Sequence, residues 1–229
     1  LHYVYLQQGL MEKAEAIFKI QQIDMREGIQ AAKKLKPKPN LRAGKYFYRM
    51  LAASTIETEQ WEKADQLIPP EGWKPKSFSK AGYNFVRGYA AAMQGNDEAE
   101  QYVTELRALR EKGFQKNYFS RPENLEVWEL EIQTAIKLYQ QDYEATIQLA
   151  KQATVVEEKL PSPSGPPRIL KPTYELLGEV YLKAGKPKKA KEQFTISLMR
   201  HPNRIRSLVG LARSAKLNGE KLIAKENYE

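Results

Sequence analysis

A pattern of helical spacing in residues 172–202 constrains the fold more than any other feature of the sequence. Four residues spaced i, i+3, i+4 and i+7 form one stripe of a first helix: Tyr174, Leu177, Gly178 and Tyr181. The matching stripe of a second helix is formed by Ala190, Phe194 and Ser197, after a turn at Gly185-Lys186-Pro187. Because glycine and proline interrupt helices, this segment predicts a helical hairpin. One hairpin cannot bury its apolar stripe alone and must stack on neighbours.

The same pattern recurs along the chain. The clearest repeats cover residues 171–204 and 205–229, and the looser ones cover 1–39, 45–75, 80–113 and 124–160. We expect the first repeat to run long, through Lys34, and the second to turn at Trp61 and continue through Ile68. A proline-rich loop over 161–167 separates the fourth and fifth repeats, because proline at this density cannot continue a helix. The sequence therefore predicts one all-α domain over residues 1–229, an α-solenoid of about six antiparallel hairpins.

Several strings in the C-terminal part of the chain resemble a known family. They are Gly165-Pro166-Pro167, Lys171-Pro172, Glu175-Leu176-Leu177-Gly178-Glu179, Ala190 and His201-Pro202-Asn203-Arg204. The chain is similar to the C-terminal half of a family of bacterial tetratricopeptide-repeat proteins, most of them uncharacterised. The resemblance implies a right-handed superhelix that binds other polypeptides and has no catalytic residue to carry over.

No residue pattern points to catalysis, a metal site or a cofactor. The chain has no cysteine, and its two histidines, His2 and His201, are far apart in the sequence. No glycine-rich phosphate loop or nucleophile motif is present. The acidic residues Glu129, Glu131 and Glu157-Glu158 are expected on helix surfaces. We therefore predict a protein that is not an enzyme.

The net charge of +9 leaves one alternative open. Lysine runs occur at residues 33–38 and 186–191, and a basic solenoid could bind nucleic acid or another polyanion. Solvated helix ends explain the same lysines, and Glu175 and Glu179 in the proposed groove argue against a polyanion. A protein partner, reached through the concave groove or by head-to-tail stacking of copies into a filament, is the preferred interpretation.

The resemblance implies that first helices line the concave groove, which defines candidate partner-binding residues. These are Tyr46, Arg49, Trp128, Leu138, Tyr139, Glu179, Arg206 and Arg213. Tyrosine, tryptophan and arginine are the commonest anchors in interfaces, although Trp128 could instead pack between helices. Candidates for end-to-end contacts are Tyr3, Tyr5, Leu222 and Tyr228.

The location of the protein is left open by the sequence. No apolar stretch reaches the length of a membrane span, so a soluble protein is expected. The absence of cysteine and a first residue other than methionine are compatible with export, and a cytoplasmic location is equally compatible.

Overall fold

The fold is all-helical in the residues that the computed structural model describes, which are 1–34, 42–66, 77–112, 121–161 and 169–220. These ranges hold a 3-10 helix (Trp61–Gln66) and ten α-helices, which are α1 (His2–Gln7), α2 (Met11–Lys34), α3 (Arg42–Thr58), α4 (Ser77–Met93), α5 (Glu98–Glu111), α6 (Pro122–Tyr139), α7 (Tyr143–Glu157), α8 (Thr173–Lys183), α9 (Pro187–Arg200) and α10 (Ile205–Leu217).

Consecutive helices pack as hairpins, and each hairpin stacks on the next. The pairs are α1 with α2, α3 with the 3-10 helix, α4 with α5, α6 with α7, and α8 with α9. Helix α10 packs on α9 and α8, in the position of a sixth first helix. The predicted α-solenoid of helical hairpins is thereby confirmed.

Five of the first helices end in the same hydrogen-bonded turn. In each turn a backbone N–H reaches the carbonyl five residues earlier: Leu10 to Tyr5, Asn96 to Ala91, Asp142 to Lys137, Lys186 to Tyr181 and Glu220 to Ala215. The residue before each donor has a positive φ, a conformation that glycine adopts without steric cost. Glycine occupies it in four turns, and Gln141 (φ 60°) occupies it between α6 and α7. In the four hairpins whose second helix follows this turn in the described residues, α1–α2, α4–α5, α6–α7 and α8–α9, the chain therefore enters the second helix in a similar way.

The second hairpin departs from the expected form. Trp61 was expected in a turn, but it begins the short 3-10 helix and its ring lies 5.6 Å from that of Tyr89 on α4. Ile68, predicted in the second helix of this repeat, lies outside the described residues. The large indole is half-buried against the next hairpin, and this contact fixes the segment that follows α3.

Close approach of helices in the C-terminal hairpins depends on two glycines beside one phenylalanine. A methyl group placed on Gly178 would lie 2.8 Å from the ring of Phe194, and one placed on Gly210 would lie closer still. Phe194 is fully buried. One aromatic ring thus fills the space between α8, α9 and α10; the repeat pattern included Gly178 and Phe194 but not Gly210.

Candidate functional site

A cluster of charged side chains lies inside the array, where residues from its two halves meet. We call it the interior polar cluster, and it consists of Glu57, Glu131, Glu157, Lys171, Glu175, Glu179, Arg204 and Arg206. Five of these eight residues are less than 5% exposed: Glu131, Glu157, Lys171, Glu175 and Arg204. A side chain buried in this way is stable only if its charge is paired or if it is neutral.

Arg204 is the centre of this cluster and uses all five of its N–H donors. It makes two bonds with the carboxylate of Glu175, Nε to Oε2 at 2.7 Å and Nη2 to Oε1 at 3.0 Å. Its Nη1 donates to Glu57 at 2.7 Å and to the hydroxyl of Tyr3 at 2.9 Å, and Nη2 donates to the carbonyl of Leu170 at 3.1 Å. One guanidinium therefore joins α1, α3, α8 and the start of α10.

Arg206 and Lys171 extend the network around Arg204. Arg206 donates to the backbone carbonyl of Glu57 at 3.2 Å, pairs with Glu59, and donates to Glu179 at 3.0 Å. Lys171 donates to the same Glu179 oxygen at 2.6 Å. These contacts hold the C-terminal end of α3 against the N-terminal end of α10.

The charged groups of the cluster shift each other's pKa values. Burial alone would raise the pKa of Glu175, but Arg204 and Lys171 lower it far below its usual range. Burial alone would lower the pKa of Arg204, and the carboxylates of Glu175 and Glu57 instead raise it. Both members of this pair are therefore charged at every physiological pH.

Three glutamates that were expected on helix surfaces are buried, and that expectation was wrong. Glu129 and Glu157 are 3% and 4% exposed, and Glu131 is 0% exposed. Glu129 and Glu131 are buried because α6 is enclosed by α4, α5, α7 and α8, so that its polar positions face other helices, and Glu157 is buried because the end of α7 packs against α8. Arg110 pairs with Glu129 at 2.8 Å, and the carboxylate of Glu157 accepts from the backbone N–H of Thr173 at 2.7 Å.

Glu131 differs from the other buried carboxyls because neither of its oxygens has a hydrogen-bond partner among the described residues. Burial and the nearby Glu157 raise its pKa well above the usual range. Glu157 behaves in the opposite way: burial opposes its ionisation, but hydrogen bonds from His201 and Thr173 lower its pKa. The pKa values of these two neighbouring acids are thus shifted in opposite directions.

The structure brings together only two of the candidate groove residues. Glu179 and Arg206 form an ion pair inside the interior polar cluster. Trp128 is 2% exposed and its ring is stacked on Phe85 at a centroid distance of 5.4 Å, so it lies in the hydrophobic core. The remaining candidates do not share this location: Tyr46, Arg49 and Arg213 are exposed, Leu138 is half-buried, and Tyr139 is exposed beside Gly95.

The candidate end-to-end residues fall partly outside the described residues. Leu222 and Tyr228 belong to the range 221–229, which lies beyond the described part of the chain. Tyr3 is half-buried and accepts the hydrogen bond from Arg204. Tyr5 is half-buried beneath the ammonium of Lys13, 5.9 Å from the ring centroid.

Exposed apolar side chains are concentrated on the first hairpin. It carries six of the eleven large hydrophobic side chains that are exposed in the described residues: Leu1, Val4, Leu10, Met11, Ile20 and Ile23. We call the exposed surface of α1, α2 and the turn between them, on which these residues lie, the α1–α2 face. Leu1 is 80% exposed and Ile20 56%. Scattered exposed apolar residues are ordinary, but a concentration on one hairpin marks a surface suited to contact with another protein.

Two further classes of site were sought in the part of the chain that the structure describes. No group of three or more histidine or acidic side chains there is arranged to hold a metal ion. None of the helices combines the length and hydropathy needed to cross a bilayer.

Comparison with known proteins assigns no family. No protein-family model and no curated protein matches the chain. Two solved structures align with it: a mutant of MamA, 14% identical over 82% of this chain and 96% of that chain, with a TM-score of 0.40, and MamA MSR-1 C2, 15% identical over 82% of this chain and 94% of that chain, with a TM-score of 0.39. At this level of similarity the fold assignment rests on the helix pairs and turns of the chain itself.

Proposed function

We propose that this chain is a non-catalytic protein-interaction scaffold that binds polypeptide through the α1–α2 face, with a second copy of the chain, stacked head to tail, as the partner. The concentration of six exposed apolar side chains on one hairpin carries the proposal. In a solenoid each hairpin buries its apolar surface against the next one, so a further hairpin from another molecule has the right shape to cover this face. A heterologous contact of this kind extends into a filament unless its rotation closes.

The α1–α2 face also has the polar surround of an interface. The apolar residues Ile20 and Ile23 stand one helical turn apart on α2, beside the exposed charged side chains of Lys19, Asp24 and Glu27. An apolar centre with a charged rim is the usual anatomy of a protein interface. Both signs of charge are present, which favours a partner surface of mixed charge such as another part of this chain.

The contacts in the interior of the array favour the α1–α2 face, rather than the concave groove, as the binding surface. Glu179 and Arg206, two candidate groove residues, pair with each other, and Glu179 also pairs with Lys171. Leu170, in the segment before α8, packs beside Leu6 and Ala53 of the first two hairpins. A peptide in this region would have to displace these side chains and the bonds of the interior polar cluster.

The test is mass in solution over a concentration series, measured by light scattering. The variant Ile20→Glu/Ile23→Glu places two charges on the α1–α2 face. It should stay monomeric at concentrations at which the mass of the unmodified protein increases by association. The matched control is Val155→Glu/Met199→Glu, which changes two exposed apolar residues on α7 and α9 and should still associate. A monomeric unmodified chain at every concentration, or growth that is unaffected by the α2 substitutions, would contradict the proposal.

A polyanion-binding function is the second candidate, and one feature of α9 favours it. Exposed lysines, Lys186, Lys188 and Lys189, surround the N-terminus of α9, and its first turn has no acidic residue. Retention on an immobilised polyanion that falls steeply with salt, and that is weakened by Lys188→Glu/Lys189→Glu, would support this function. A shallow salt dependence would exclude it.

A further inference from the structure

His2 on α1 is buried between α1 and the two helices that α1 packs against. It is 3% exposed, and its Nε2 lies 3.1 Å from the hydroxyl oxygen of Ser54 on α3, in a buried hydrogen bond. The ring of Phe18 on α2 lies 6.3 Å from the imidazole, measured between centroids. One side chain therefore contacts both α2 and α3 and helps to fix the position of α1.

The surroundings of His2 suit a neutral imidazole. A hydroxyl can donate to a neutral ring nitrogen or accept from a protonated one, so the bond to Ser54 is compatible with either form. Burial distinguishes the two forms, because a buried imidazolium loses the hydration of its charge and a neutral hydroxyl does not compensate for that loss. Burial accordingly lowers the pKa of His2 from 6.5 to about 4.

The charged groups that act on this imidazole do so in opposite directions. On α1 the amino group of Leu1 disfavours a proton on the ring, and on α2 the carboxylate of Glu15 favours one. From α3 the ring is faced by the serine hydroxyl. Arg204 and Glu57, which lie beside the adjacent Tyr3, are paired with each other at 2.7 Å. Burial is therefore the main influence on the charge of the imidazole.

Helix α1 is short, and a small set of contacts keeps it in place. Of its six residues, His2 and Leu6 are buried. Leu6 lies in a small apolar cluster with Ala14 of α2 and Ala53 of α3. Two hydrogen bonds attach α1 to the start of α10. Because an isolated helix of this length is unstable in water, α1 depends on these contacts, and a charge on one of its two buried residues can displace it.

We propose that His2 makes the packing of α1 on α2 and α3 sensitive to acid: α1 stays packed while the imidazole is neutral, and it is released when the imidazole takes up a proton from solvent. The imidazolium recovers its hydration by leaving the interior, and Leu6 leaves its apolar cluster with it. Leu1 and Val4 belong to the α1–α2 face, so that surface is complete only while α1 is packed. The inference concerns the isolated chain and does not depend on the proposed partner.

The sign of the pH effect follows from linkage. A histidine whose native pKa lies below its ordinary value of 6.5 binds fewer protons when α1 is packed than when α1 is released. The packed form is fully favoured above about pH 6.5, and it loses stability as the pH falls towards about 4. Between pH 7 and pH 5 the equilibrium should shift towards release by about 20-fold.

The test measures the access of solvent to the surface beneath α1. Because the chain has no cysteine, Ala53→Cys places a unique thiol at a buried position of the cluster that contains Leu6, and Arg49→Cys places one at an exposed position of the same helix. Each thiol is treated with a soluble disulfide at concentrations below self-association. The rate at position 53 divided by the rate at position 49 reports the released fraction of α1. This ratio should rise by about 20-fold from pH 7 to pH 5.

Substitutions at the two histidines separate this effect from a general response to acid. His2→Gln and His2→Phe, both neutral at every pH, should each abolish the rise of the ratio. His201→Gln removes the other histidine of the chain and should leave the rise unchanged. A ratio that stays constant from pH 7 to pH 5 with His2 present, or a rise of equal size in both His2 variants, would overturn the proposal.

Discussion

The guanidinium of Arg204 and the carboxylate of Glu57 lie 2.7 Å apart although 147 positions separate them in the sequence. Arg204 precedes α10 and Glu57 is near the end of α3, so this ion pair joins hairpins from opposite ends of the described chain. An array held only by contacts between successive hairpins would have no such bond. The pair therefore links the N-terminal and C-terminal hairpins through the interior of the array. The surfaces that remain for partners are the outer ones.

Replacing Arg204 by alanine should destabilise the protein more than any other single change to a charged residue. The substitution removes the cation that pairs with Glu57 and the bidentate partner of Glu175, and breaking a buried pair in this way costs about 3–5 kcal/mol. Urea unfolding followed by circular dichroism measures the loss. The exposed Arg213 on α10 is the matched control, and Arg213→Ala should change the free energy of unfolding by less than about 0.5 kcal/mol. Equal effects of the two substitutions would contradict the assigned role of Arg204.

Replacing Gly210 by alanine should destabilise the C-terminal hairpins by overpacking. The new methyl group would overlap the ring of Phe194, and the expected cost is about 1–3 kcal/mol. A second substitution, Phe194→Leu, makes room for the methyl group. In a double-mutant cycle the two changes together should cost less than the sum of the two alone. Additive effects would show that Gly210 and Phe194 are not in contact.

Trp128 and Tyr46, both predicted as partner contacts, should respond differently to alanine substitution. Trp128→Ala removes a buried ring stacked on Phe85 and should cost about 3–5 kcal/mol of stability. Tyr46 is 48% exposed, and Tyr46→Ala should leave the thermal unfolding temperature nearly unchanged. Differential scanning calorimetry of the two variants gives both values. A stable Trp128→Ala protein would place that ring outside the core.

A glutamate at Lys188 should stabilise α9. The charged residues in the first turn of this helix are both lysines, Lys188 and Lys189, although the helix dipole favours negative charge there. Lys188→Glu should raise the free energy of unfolding by about 0.3–1 kcal/mol at low salt, and added salt should reduce the gain. The same substitution at Lys216, in the last turn of α10, should have the opposite sign. An equal effect at both positions would argue against the dipole as the cause.

Helical hairpins could be predicted from the sequence because their signals are local. Gly95, Gly185 and Gly219 mark turns after first helices, and each is found in the left-handed conformation. The turn between α6 and α7 has the same geometry with Gln141 in place of glycine. Unlike glycine, a glutamine in the sequence does not indicate a residue with positive φ. The fourth repeat was therefore recognised only by its helical spacing.

The interior polar cluster could not be predicted because its contacts are distant in sequence. Helical periodicity assigns Glu131 and Glu157 to polar faces, and it contains no information about which helix covers those faces. Glu175 and Arg204 were both part of the family resemblance, but nothing in their spacing indicates a bidentate pair. The one available signal was that α6 has apolar residues on all sides, such as Leu125, Val127 and Ile132, as expected for an enclosed helix.

The central claim is that α3 and α10 are held together inside the array and that the α1–α2 face is the binding surface. Amide hydrogen exchange measured at low and high protein concentration tests this claim most directly. The account predicts slow exchange in α3 and α10 at both concentrations, and protection that appears over Met11–Lys34 only at high concentration. Rapid exchange of α3 and α10, together with no added protection in α2, would contradict it, because the interior would then be open and the α1–α2 face unused.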